Sequence, residues 1–60
     1  MIHASTPVYS GVIVRNADHP RDGQAGDYLG AHPDAPDTRA NVRFDGGAIE
    51  NVAFADLVRL

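Results

Sequence analysis

Three histidines are the residues of this chain best suited to metal binding or acid–base chemistry. His19 and His32 each precede a proline, and aspartates stand near them at positions 18, 22 and 34. A metal site would require two imidazoles to converge with carboxylates, but the spacing of His3, His19 and His32 matches no zinc pattern. The chain has no cysteine, which removes thiolate ligands and disulfides. We therefore predict neither a metal site nor a cofactor.

Covalent and acid–base catalysis also lack suitable residues. The chain contains no lysine or cysteine, and its serines and threonines lie in no nucleophile motif. Carboxylates come in pairs, Asp18 with Asp22 and Asp34 with Asp37. A general acid needs a desolvated pocket that raises its pKa, and a chain of 60 residues has little interior to offer. We predict that these acids serve solubility and turns, and that the protein is not an enzyme.

Arginine and asparagine side chains occupy alternate positions in the last third of the chain. Arg39, Asn41 and Arg43 alternate with apolar residues, so they share the outward face of one strand. Guanidinium groups on an exposed face are typical of surfaces that bind RNA or a partner protein. The structural alternative, which we favour, is a cross-strand ion pair between Arg43 and Glu50, worth under about 1 kcal/mol. If RNA binds, we expect contacts to these residues and to Arg15.

The charge balance argues against binding nucleic acid through bulk electrostatics. Five arginines face eight acids, which gives a formal net charge of -3, and affinity for phosphate grows with the number of cationic contacts. Residues 1–7 have neither a charged segment nor a long apolar run, so we expect no signal peptide and no membrane span. The expected location is the cytoplasm. The length predicts one domain with a small core.

Short segments with strand character alternate with loops rich in glycine, proline and aspartate. We expect residues 1–7 to be a loose arm, although Ile2 could pack as a short first strand, and residues 8–60 to form the domain. The predicted strands cover residues 8–15, 26–31, 39–44 and 48–53 and a closing segment with Val58 and Leu60. Residues 45–47, Asp-Gly-Gly, supply a tight hairpin turn, and residues 54–57 fit a 3₁₀ turn before the last strand.

The expected core follows from this assignment. The spacing of Ile49 and Val52 departs from strict alternation, which predicts a bulge near residues 50–51 if both face inward. The fold class is all-β, a single small barrel of about five strands. The predicted core comprises Val12, Val14, Tyr28, Val42, Phe44, Ile49, Val52, Phe54, Leu57 and Val58.

The order of elements resembles that of the SH3-like small barrels over residues 8–60. Within that superfold, Val12-Ile13-Val14-Arg15 followed by Gly23-Gln24-Ala25-Gly26-Asp27-Tyr28-Leu29 resembles a KOW-type motif. That resemblance implies contact with RNA, ribosomes or the transcription machinery, although the lysines that usually contact RNA are absent. The C-terminal third also looks similar to the type II dihydrofolate reductases. Residues 50–52, Glu-Asn-Val, match none of their pore-lining residues, so no catalytic role is carried over.

The resemblance also implies a peptide groove between the two long loops, residues 16–26 and 31–38. Tyr28 is the candidate aromatic contact there, with a place in the core as its alternative. We predict a non-enzymatic binding module that acts on a protein partner or on itself. A KOW-like RNA-binding protein is the alternative.

Overall fold

The computed structural model describes residues 2–60, which form one antiparallel sheet of five strands. The sheet order is β4-β3-β2-β1-β5, so β4 and β5 are its edges. No helix in this part of the chain is long and apolar enough to span a bilayer. The all-β prediction, with a 3₁₀ turn before the last strand, is confirmed. The strands are β1 (Gly11–Val14), β2 (Ala25–Ala31), β3 (Arg39–Phe44), β4 (Ile49–Ala53) and β5 (Leu57–Arg59), and the 3₁₀ turns are Asp45–Gly47 and Phe54–Asp56.

The turn between β3 and β4 is built as the sequence predicts. Gly46 and Gly47 have φ values of 86° and 87°, a backbone conformation that residues other than glycine rarely adopt. The pairing of β3 with β4 then runs without interruption from Arg43 opposite Ile49 to Arg39 opposite Ala53. The predicted bulge near residues 50–51 is therefore wrong. The ladder irregularity lies in β2 instead, between Tyr28 and Gly30.

The core lies on the inner face of the sheet, and eight of the ten predicted core residues are buried there. Ile49 and Val58 were placed wrongly, since 60% and 42% of their surfaces are exposed. Ile49 lies opposite Arg43, and Val58 lies opposite Ile13. Directly paired residues share a face of the sheet, so both side chains point outward. The buried apolar residues are Ile2, Val12, Val14, Tyr28, Ala40, Val42, Phe44, Val52, Phe54 and Leu57.

Residues 2–6 of the expected loose arm contact the sheet, and residue 1 lies outside the described residues. Ile2 is only 1% exposed and belongs to the core cluster. Thr6 and His3 close a turn through two hydrogen bonds, from the Thr6 N–H to the His3 carbonyl at 2.9 Å and from the His3 N–H to Thr6 Oγ1 at 3.0 Å. The Tyr28 hydroxyl donates to the carbonyl of Ala4 at 3.2 Å. The segment thus covers one side of the core.

Candidate binding surface

The outer face of β3 carries the arginines that the alternation predicts. Ala40, Val42 and Phe44 are buried, so the intervening side chains point outward. Arg43 donates from Nη2 to Oδ2 of Asp27 at 3.0 Å, and both side chains remain nearly half exposed. Because this pair lies in water, it contributes little to the free energy of unfolding. Its main effect is that one donor of the Arg43 guanidinium group is already engaged by the Asp27 carboxylate.

Arg39 is likewise held by a neighbouring strand. Its Nε donates to Oδ1 of Asn51 at 2.6 Å, and its Nη2 donates to the backbone carbonyl of Asn51 at 3.3 Å. Asn51 is opposite Asn41 in the ladder. Arg39 and Arg43 therefore both use guanidinium donors within the sheet, which leaves fewer of them for a phosphate group.

The predicted ion pair between Arg43 and Glu50 is wrong because the two residues lie on opposite faces. Glu50 is opposite Val42, a fully buried residue, so the side chain of Glu50 projects from the inner face of the sheet. Arg43 is opposite Ile49 on one side and Asp27 on the other, and both of these point outward. The ladder register decides the partner of each charge.

Glu50 binds Arg21, a residue that the sequence did not single out. Arg21 lies in the loop between β1 and β2, and its Nε donates to Oε2 of Glu50 at 2.7 Å. Nη1 of the same guanidinium donates to Oε1 of Gln24 at 2.9 Å. The guanidinium carbon lies 4.4 Å from the centre of the Phe44 ring, within cation–π range. Arg21 thus links the loop between β1 and β2 to β4 and packs over the ring of Phe44. The sequence held one clue to this contact, since alternation along β4 places the side chain of Glu50 on the same face as that of Val52.

This ion pair predicts a specific pH dependence of stability. The hydrogen bond from Arg21 lowers the pKa of Glu50 below its usual 4.5, and the same bond raises the pKa of Arg21. The folded state therefore binds the Glu50 proton less readily than the unfolded chain does. The contribution of the pair is complete above pH 4.5 and is lost as the pH falls through the lowered pKa.

We expect Glu50→Gln to lower the urea midpoint near neutral pH and to have a shrinking effect under acid. The measurement is urea unfolding of both proteins between about pH 7 and about pH 3. Arg21→Met, which removes the partner charge, should show the same convergence with wild type. A difference between Glu50→Gln and wild type that stays constant over this range would contradict the assignment.

The two His-Pro dipeptides form the same local turn. Nδ1 of His19 accepts the N–H of Arg21 at 3.0 Å, and Nδ1 of His32 accepts the N–H of Asp34 at 3.1 Å. The first turn precedes β2 and the second follows it, so they lie toward opposite ends of that strand. Residues 2–60 contain no group of three histidine or carboxylate side chains arranged for a metal ion. The histidines here serve turn structure.

Tyr28 and Arg15 have different environments from the arginines of β3. Tyr28 is fully buried, and its ring centre lies 6.0 Å from that of Phe54. Burial raises the pKa of its phenol, which therefore remains a neutral hydrogen-bond donor. Tyr28 takes the core role that was its alternative, and it offers no contact surface to a peptide. Arg15 is exposed, and among residues 2–60 its side chain has no hydrogen-bond partner.

The two edges of the sheet differ in how their backbone groups are protected. On β4, the bonds from the Phe44 N–H to Ala48 and from the Phe54 N–H to Thr38 show that even-numbered residues pair with β3. The odd-numbered residues of β4 therefore point their backbone groups outward. Arg39 donates a hydrogen bond to the outward carbonyl of Asn51, so this backbone acceptor of the β4 edge is already used. The β4 edge is thus partly protected against pairing with another strand.

The β5 edge has no such guard among the described residues. Leu60 donates its N–H to Gly11 at 3.0 Å, and Arg15 donates its N–H to Asp56 at 2.7 Å. Even-numbered residues thus pair with β1, which leaves the carbonyl of Leu57 and both backbone groups of Arg59 pointing outward. An apolar groove runs beside this edge. It is lined by Ile2, Phe54, Ala55, Leu57 and Val58.

Comparisons of the chain with protein-family models, curated proteins and solved structures found no significant match. The SH3-like and KOW-like resemblances therefore stay predictions from the sequence. The five-stranded antiparallel sheet rests on the structure itself.

Proposed function

We propose that this protein is a non-enzymatic binding module that takes an extended protein segment along the β5 edge. The observation that carries the proposal is the unguarded row of backbone groups at Leu57 and Arg59 beside an apolar groove. Addition of a strand to an exposed sheet edge is a common mode of peptide recognition. Main-chain hydrogen bonds supply affinity in this mode, and an adjacent groove selects side chains.

The exposed residues near β5 support the same surface. Val58 and Leu60 are 42% and 72% exposed although both are large and apolar. Leu60 lies against Gly11, and Val58 lies opposite Ile13 on the outer face. Exposed apolar side chains next to an open sheet edge are typical of interaction sites.

RNA binding remains the alternative function, and the structure offers it little support. Arg21, Arg39 and Arg43 all use guanidinium donors within the domain. The net charge of -3 also opposes phosphate binding. Arg15 and Arg59 are the arginines whose side chains form no hydrogen bond or ion pair within residues 2–60.

We expect selected peptides to bind β5 and to lose binding on Val58→Asp. Random peptides displayed on phage would be selected against the protein, and binders would be titrated into ¹⁵N-labelled protein. Amide shifts should map to residues 57–59. The matched control is Ile49→Asp, a β-branched residue on the other edge that is 60% exposed against 42% for Val58, and this variant should bind as wild type does.

The same labelled sample tests the RNA alternative. Salt-sensitive shifts on adding mixed short RNA, weakened by Arg39→Ala and Arg43→Ala, would favour the KOW-like reading. Selected peptides that leave the β5 amides unmoved would contradict the proposed function.

A further inference from the structure

We infer that Asp45, in the turn between β3 and β4, is a site of spontaneous covalent modification. Its side-chain carboxyl group reacts with the backbone nitrogen of Gly46, and the residue is converted to isoaspartate without an enzyme. The inference is carried by the exposure of the turn, by the absence of partners for the two reacting groups, and by a second Asp-Gly pair in which both groups are held.

The reaction requires only the chain and water. The backbone nitrogen of Gly46 attacks Cγ of Asp45 and forms a C–N bond. The hydroxyl of the protonated carboxyl group leaves with the proton of the nitrogen as water, and a cyclic succinimide remains. Water then opens this ring at either carbonyl. Opening at the main-chain carbonyl of residue 45 leaves the backbone running through Cβ and Cγ, which is isoaspartate, with the mass of the original residue.

The structure leaves both reacting groups of Asp45-Gly46 accessible. Residues 45–47 are exposed, and a Cβ added to Gly46 would meet no heavy atom within 4 Å. Within residues 2–60 the Asp45 carboxylate takes part in no hydrogen bond or ion pair. The N–H of Gly46 donates to no group outside its own turn in the same part of the chain. Glycine also lacks the side chain that would hinder approach to its nitrogen.

The second Asp-Gly pair of the chain, Asp22-Gly23, is held at both reacting groups. Oδ1 of Asp22 accepts the N–H of Asn16 at 2.9 Å. The N–H of Gly23 donates to the carbonyl of Val14 at 2.8 Å. These bonds must open before the carboxyl carbon and the nitrogen can meet. Every other aspartate precedes a residue with a side chain, so Asp45 is the favoured site.

Isoaspartate at position 45 would alter the connection between two core strands. The N–H of Phe44 donates to the carbonyl of Ala48 at 2.8 Å across this turn, and the Phe44 side chain is buried. Isoaspartate adds one atom to the backbone between these two residues. Because the length of a hairpin connection fixes the register of its strands, we expect the modified protein to unfold at a lower urea concentration.

Peptide mapping of the folded protein after several weeks near neutral pH tests the site. Trypsin releases residues 44–59 and 22–39, and fragmentation of these peptides locates isoaspartate. Asp45 should isomerise about 10- to 30-fold faster than Asp22, since two hydrogen bonds protect the latter. In guanidinium chloride the two rates should be alike, because both residues precede glycine. Equal rates in the folded protein, or a faster reaction at Asp22, would overturn the inference.

Variants at the two positions separate this chemistry from general degradation. Asp45→Glu keeps the charge but requires a larger ring, so isomerisation at residue 45 should disappear. Asp45→Asn should react faster by the same route, with ammonia as the leaving group. Asp22→Glu is the matched control and should leave the rate at Asp45 unchanged. An Asp45→Asn protein that keeps its amide would show that the Gly46 nitrogen does not reach Cγ, and would overturn the inference.

Urea unfolding of the incubated samples tests the effect on the turn. Wild type that has accumulated isoaspartate should show a lower midpoint than fresh protein, whereas Asp45→Glu should keep its midpoint after the same incubation. An unchanged midpoint in wild type rich in isoaspartate would overturn the coupling between this residue and the β3–β4 register.

Discussion

Replacing Phe44 by alanine is expected to lower the free energy of unfolding by about 3–5 kcal/mol. Phe44 is 3% exposed at the end of β3, and the Arg21 guanidinium covers its ring. The substitution therefore leaves a cavity in the core and removes the surface on which Arg21 rests. A chain of this length has a total stability of roughly 3–9 kcal/mol, so most of it would be lost.

Urea unfolding at neutral pH is the direct measurement of this loss. The control is Ile49→Ala, which removes an apolar side chain of which 60% is exposed on the outer face of the neighbouring strand. That variant should stay within about 0.5 kcal/mol of wild type. A Phe44→Ala protein with the wild-type midpoint would mean that the core is not packed as described.

Replacing Gly26 by alanine is expected to cost about 2–3 kcal/mol, as an overpacked core site does. An added Cβ would lie 2.6 Å from the carbonyl oxygen of Arg43 and 2.8 Å from Cγ1 of Val42. The oxygen belongs to the backbone of β3, so relief requires the two central strands to separate. Glycine at this position permits their close approach.

Gly11→Ala is the matched control, since Gly11 lies on the adjacent strand opposite Asp27. Its added Cβ would lie 3.5 Å from Cδ1 of Leu60, an ordinary contact. Alanine restricts the unfolded chain more than glycine does, so this variant should equal or exceed wild-type stability by up to about 1 kcal/mol. Thermal unfolding of the two variants side by side checks the contrast. Equal midpoints for Gly26→Ala and Gly11→Ala would refute the close approach of β2 and β3.

The arginine face of β3 was accessible from the sequence, but the hydrogen-bond partners of these arginines and the β5 edge were not. Alternation in β3 placed Arg39, Asn41 and Arg43 outward, as the structure shows. It did not show that Asp27 would bind Arg43 or that Asn51 would bind Arg39. Those contacts depend on which strands are neighbours and on how they are aligned, and local periodicity carries no information on either.

The core shows the same division. Ile49 and Val58 are strongly apolar. Each lies in a short strand that has apolar residues at both odd and even positions, so alternation alone does not show which face of the strand is buried. Their exposure follows from pairing with Arg43 and Ile13. Ile2 stands in a segment without periodicity, so its burial depends on a contact with residues far along the chain.

The sequence by itself determined the all-β class, the turn at Gly46 and Gly47, the 3₁₀ turn before β5 and the shortage of catalytic groups. These are local properties, because backbone preferences and side-chain alternation act over a few neighbouring residues. The tertiary structure alone decided that Arg21 binds Glu50, that Arg39 guards β4 and that β5 stays open. These features arise where distant segments meet, so sheet order and register had to be known first.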